Sequence, residues 1–154
     1  RIEKAYSSRD EGWIASSVYA MGRSANDRWI PDVLEMLENR SPKIRAAAAY
    51  AAGELEAKQA LPFLFELLED PDDQVQYRTV TALAQIGGEK SRKELTAHYQ
   101  QAEDPYLVEL LEDALERIDF WEEIGDLPFL DYLEDEGDDG ELSSLPFVDE
   151  DDWD

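Results

Sequence analysis

The residues whose types and spacing could do the most at a surface are Tyr19, Tyr50, Tyr77 and Arg78. Tyr19 and Tyr50 stand 31 positions apart, the interval at which the chain repeats, so stacked copies should set them side by side with Arg78 nearby. A tyrosine offers an apolar ring with a polar tip, and a guanidinium offers planar donors; such groups anchor partners more often than they break bonds. The plain alternative is that these rings pack at helix edges. Arg45 invites an anion site, and a structural pairing with acids in turns such as Glu69–Asp73 is the plainer reading. His98, the only histidine, has no His-Glu pair or carboxylate constellation around it and reads as an outer-helix surface residue. Asp135–Asp139 (DEGDD) hints at calcium but lacks the long ligand loop with its terminal Glu. No catalytic, metal or cofactor site is expected.

A second set of candidates lies near the end of the chain. Leu127-Pro-Phe-Leu-Asp131 recurs 18 positions later as Leu145-Pro-Phe-Val-Asp149. A purely solvating tail avoids large apolar residues. Acids alternating with such modules instead suit a segment that orders on a partner, with Phe129, Phe147 and Trp153 as its anchors. For Trp121–Leu133 the plainer reading is a cap over the last helical pair, since terminal repeats need one.

Charge narrows the partners. The net charge is -24, and 16 of the 38 acids fall within 119–154, where there is no Lys or Arg. Residues 1–118 hold the other 22 acids and all 14 bases. Direct binding to nucleic acid or to anionic membrane is disfavoured, because both reward Lys and Arg. A protein partner with a basic or mixed basic-apolar surface fits better, and the tail could also pair two copies of the chain. The absence of cysteine fits a reducing compartment, and no apolar run has the length of a membrane span. A cytoplasmic location is expected.

The elements that must position these residues repeat visibly. Pro31 and Pro62, Ile44 and Val75, Ala51 and Ala82, and Leu55 and Ile86 are each separated by 31 positions. Arg1–Ser8 aligns with a first outer helix, although only Ile2, Ala5 and Tyr6 fill its apolar positions. Trp13–Ser24 follows an Asp-Glu-Gly turn as the first inner helix, with Trp13, Ser17, Val18, Ala20 and Met21 inward. Trp29–Glu38 and Leu61–Glu69 are the outer helices that follow, each with Pro where a first turn tolerates a missing donor. Pro42–Glu54 is Ala-rich and allows close approach. Asp72 or Asp73 can cap the stripe Val75–Ile86, which Gly87-Gly88 stops. Ser91–Gln101 and Tyr106–Ile118 form the last pair. The residues two, three, six and ten beyond Trp13, Ile44 and Val75 should line the inner surface, including Ser16, Tyr19, Ala47, Tyr50, Tyr77, Arg78 and Thr81.

Such pairs cannot bury their apolar faces alone and must stack, predicting an all-α, right-handed α-solenoid of about four hairpins. Pro42-Lys-Ile-Arg45-Ala-Ala-Ala-Ala49-Tyr-Ala-Ala52-Gly resembles the second helix of the short HEAT-like repeats in the phycobilisome-lyase type of HEAT protein. Asp73-Gln-Val75-Gln-Tyr-Arg78-Thr-Val80-Thr-Ala82-Leu83 is similar, with Gln76 where that repeat usually has Arg. The resemblance covers 1–118, the solenoid domain, and leaves 119–154 as a mostly irregular acidic tail. It implies a fold more than a function. A non-catalytic interaction or scaffold module is the leading expectation. Bilin-lyase-like chromophore handling is the alternative that the resemblance implies, and mimicry of nucleic acid toward a basic protein is a third.

Overall fold

The computed structural model describes residues 10–127. Among them are seven α-helices, two short 3-10 helices and no strand. In chain order these are α1 (Glu11–Arg23), α2 (Ile30–Met36) entered through the 3-10 turn Asp27–Trp29, α3 (Pro42–Glu54), α4 (Leu61–Leu67) entered through Lys58–Ala60, α5 (Asp73–Ile86), α6 (Glu89–Gln101) and α7 (Pro105–Gly125). Among the described residues a division falls after Phe120, separating 10–120 from 121–127. No described helix is long and apolar enough to cross a membrane.

The odd-numbered helices start at the same point of each copy. Asp10, Ser41 and Asp72, 31 residues apart, are the N-cap residues of α1, α3 and α5. Asp10 accepts from the amides of Gly12 (2.8 Å) and Trp13 (3.1 Å), and Asp72 accepts from that of Val75 (3.1 Å). Each bond satisfies a donor that a helix start otherwise leaves free. Asp10-Glu11-Gly12 is therefore a cap and first turn, not a turn ahead of the helix. The ends repeat too. Ala25 and Glu56 adopt left-handed φ values of 52° and 48°, and Gly87 takes the third equivalent place at 69°. There, as at Gly88 with φ 91°, glycine meets the demand without a Cβ clash.

Helix α3 packs between α1 and α5. Two matching contacts set this spacing. A Cβ on Gly22 would stand 2.7 Å from Ala51 Cα, and one on Gly53 would stand 2.8 Å from Ala82 Cα, so the backbones meet where no side chain intervenes. The third equivalent pair is Ala84 and Asp113, which lacks a glycine. Outer helices α2 and α4 cover α3 and α5 from behind, and Val33, Leu37, Leu64 and Leu67 enter the core with Val18, Met21, Ile44, Val75, Val80 and Leu83.

Three positions depart from the repeat pattern. Trp13 is 63% exposed although its equivalents Ile44 and Val75 are buried. Tyr106, one step beyond Val75, is 54% exposed. Both belong to the first and last of the described inner helices, where burial at this position lacks the two-sided cover that α3 enjoys. Ala47, by contrast, is fully buried and lines no surface, because helices on both sides widen the buried arc of α3. Helix α7 runs past Ile118 to Gly125, since no proline or glycine interrupts its Glu-rich continuation.

Candidate functional site

Tyr19 on α1 and Tyr50 on α3 lie side by side, as translation by one repeat requires, with ring centroids 5.0 Å apart and planes tilted by 56°. The third equivalent is Thr81, whose hydroxyl donates to the Tyr77 carbonyl at 3.1 Å, so the aromatic row ends after two members. Arg78 on α5 reaches back over both rings. Its guanidinium carbon is 5.6 Å from the Tyr19 centroid and 5.5 Å from that of Tyr50. The residues one and two repeats earlier, Ala47 and Ser16, are small and leave this space open. Each stacking contact is worth about 0.5–1 kcal/mol at an exposed site. Together they hold the side chain of an exposed residue in one place.

Tyr77, adjacent in sequence, joins a different group. Its hydroxyl donates to Asp104 Oδ2 at 2.7 Å, and its ring meets Tyr106 edge-on at 4.7 Å. Asp104 Oδ1 also accepts from the Tyr106 amide at 3.1 Å. The hydrogen bond to Asp104, with smaller help from desolvation and nearby negative charge, pushes the Tyr77 hydroxyl up to about 12. Tyr99 repeats the device on α6, donating to Glu112 at 2.7 Å, and its hydroxyl is likewise pushed up by that bond. These tyrosines tie α5 and α6 to the start and middle of α7. Tyr99 and Asp104 carried no signal in the repeat pattern, because the bonds run between unlike helices. Their only trace was a polar tip near an acid.

Arg45 is structural. Its Nε and Nη2 donate to the two carboxylate oxygens of Asp70 at 2.9 and 3.1 Å, and its Nη1 donates to the carbonyls of Asn39 (2.9 Å) and Arg40 (3.0 Å). Gln76, one repeat later, donates to the Asp70 carbonyl at 2.6 Å, copying the Asn39 contact without the charge. The place equivalent to Asp70 in the next turn is Gln101, so cation and acid are replaced together. His98 lies on α6 with Nδ1 3.1 Å from the Glu94 carbonyl oxygen. No group of three or more potential metal ligands occurs among the described residues.

The sequence places four partner-binding candidates in the described region. The structure brings Tyr19, Tyr50 and Arg78 together and puts Tyr77 on the α7 side. Phe129, Phe147 and Trp153, the modules that contain them and Asp135–Asp139 lie outside the described residues. Exposed Trp13 and the neighbouring Lys43 join the α1–α3 surface unannounced. Lys43 shares its repeat position with Gly12 and Gln74, a variability that could have marked it.

A family model for HEAT repeats matches residues 30–116, from the start of α2 into α7. No curated protein matches the chain.

Proposed function

The chain belongs to the HEAT-repeat family, and on that premise we propose that it is a non-catalytic interaction module whose inner-helix face engages a protein partner. HEAT repeats generally serve protein–protein interaction or scaffolding. The observation that carries the reading here is the Tyr19–Tyr50–Arg78 cluster: two rings and a stacked guanidinium, ordered before any partner arrives. Pre-ordering lowers the entropy lost on binding. Tyr77, whose hydroxyl is bonded to Asp104, is a separate candidate contact on the α7 side.

In this proposal the acidic segment supplies a second point of attachment. Phe129, Phe147 and Trp153 anchor it, and its 16 acids favour a partner with a basic or mixed basic-apolar surface. The test is affinity capture with the full chain, a Tyr50→Ala/Arg78→Ala variant and a Phe129→Ala/Phe147→Ala/Trp153→Ala variant, quantified by mass spectrometry. Specific partners should drop out with one variant or the other. Retention of every partner at the wild-type level by both variants would overturn the proposal.

A further inference from the structure

Two depressions flank Tyr19 on the open side of α1, α3 and α5. One, of about 310 Å³, is lined by Tyr19, Lys43, Ala46, Gln74 and Arg78 among others. The other, of about 370 Å³, is lined by Trp13, Ser16, Tyr19 and Lys43 among others. Tyr19 and Lys43 border both, so the surface runs from an aromatic end at Trp13 to a cationic end at Arg78.

The lining holds two cations, Lys43 and Arg78, and two acids, Asp10 and Asp72, an even balance in a chain with 38 acidic and 14 basic residues. Among the described residues neither Lys43 nor Arg78 has an ion-pair partner. The two acids at the rim, Asp10 and Asp72, already accept from helix amides. The Arg78 guanidinium carbon lies 5.6 and 5.5 Å from the Tyr19 and Tyr50 ring centroids, and its N–H groups make no hydrogen bond among the described residues. Arg78 is thus placed beside the rings while its donors remain uncommitted. A carboxylate is the group that matches a guanidinium edge, through two parallel hydrogen bonds. At the other end, Trp13 is 63% exposed and Tyr19 half-buried, offering ring surface to an apolar side chain.

We propose that this surface receives an extended segment of another protein in which an Asp or Glu carboxylate stands beside an aliphatic or aromatic side chain. The carboxylate takes the edge of Arg78 with Lys43 as a second positive charge, and the apolar neighbour lies against Trp13 and Tyr19. The net charge of -24 repels strongly acidic chains, so the segment carries few charges besides that one. The inference rests on the partner-binding reading of the inner-helix face and names what that face recognises.

The experiment is a selection of short random peptides displayed on phage against the full chain. Enriched sequences are then synthesised and titrated against the wild type and against Arg78→Ala, Arg78→Lys, Trp13→Ala and Tyr50→Ala. The expected winners place Asp or Glu next to Leu, Ile, Phe or Trp. Arg78→Ala should weaken their binding by about tenfold or more, the loss of a charge-assisted bond. Arg78→Lys should recover only part, because an ammonium neither stacks nor forks. Helical circular dichroism of the Arg78 variants should match the wild type, since the residue is exposed. No enrichment, or acidic winners indifferent to Arg78→Ala and Tyr50→Ala, would overturn this inference and the inner-face reading with it. Basic winners whose binding is lost in Phe147→Ala/Trp153→Ala would overturn the inference alone and leave the acidic-segment half of the proposed function standing.

Discussion

Arg45 and Arg78 sit on neighbouring inner helices and are used in opposite ways. On the turn side of α3, Arg45 spends its donors on Asp70 and two backbone carbonyls, and its side chain is only 16% exposed. On the open side of α5, Arg78 is exposed, stacked on two rings and without an ion pair among the described residues. An arginine whose fork is filled by its own chain joins one repeat to the next. An arginine held only beside aromatic rings keeps its donors able to bind. The same residue type therefore serves scaffold or surface according to whether the fold engages its donors.

Breaking the scaffold side should have the largest effect. Asp70→Ala leaves the Arg45 charge unpaired in a mostly buried turn, and stability should fall by about 3 kcal/mol, read from urea unfolding. A loss comparable to that of an exposed ion pair would erase the contrast. Gly53→Ala tests the seam that sets the spacing of α3 and α5. Its new methyl group must displace the Ala82 backbone, and a loss of about 2 kcal/mol is expected by the same method. On the surface side, Arg78→Ala removes only exposed stacking and should cost about 1 kcal/mol or less. A larger fall would mean that Arg78 is scaffold after all.

The smallest effect is one of pH. The folded chain raises Tyr77 from 10.0 to about 12, so the protonated hydroxyl is favoured in the folded state. Its stabilising contribution is complete below the unfolded value and disappears as pH climbs through that window. Tyr77→Phe should flatten the alkaline decline in unfolding midpoint across it, and an unchanged decline would separate Tyr77 from Asp104.

Much of this was legible in the residues because a repeat turns spacing into position. The 31-residue step gave the order of the helices. Capping chemistry narrowed the start of α5 to Asp72 or Asp73, of which Asp72 is the cap, and its stop to Gly87-Gly88. The repeat step also put Tyr19 beside Tyr50 within reach of Arg78, and the resemblance to HEAT-like repeats assigned Arg45 to the turn acids. Positions whose surroundings differ between copies were not legible this way. Trp13 aligns with buried Ile44 and Val75 but lies on the first described inner helix, and Ala47 aligns with exposed Ser16 and Arg78 but lies on the helix covered from both sides. Tyr77 looked like part of the Arg78 surface. It turned to Asp104 instead because α7 starts one residue late in the register, at Pro105 where α5 starts at Asp73, and Asp104 at its head offers an acceptor.

The glycine seam has a mechanical consequence. Helices α1, α3 and α5 touch backbone to backbone at Gly22–Ala51 and Gly53–Ala82, a contact with little side-chain padding to compress or shear. Beyond α5 the seam has no glycine, the Arg–Asp link gives way to Gln76 and Gln101, and two consecutive glycines with positive φ begin the connection. Under tension along residues 10–120, the first three inner helices should move as one stiff block. The Gly87-Gly88 joint is where such a load would be relieved first, with the Tyr77–Asp104 bond, which spans it, as the latch it must open.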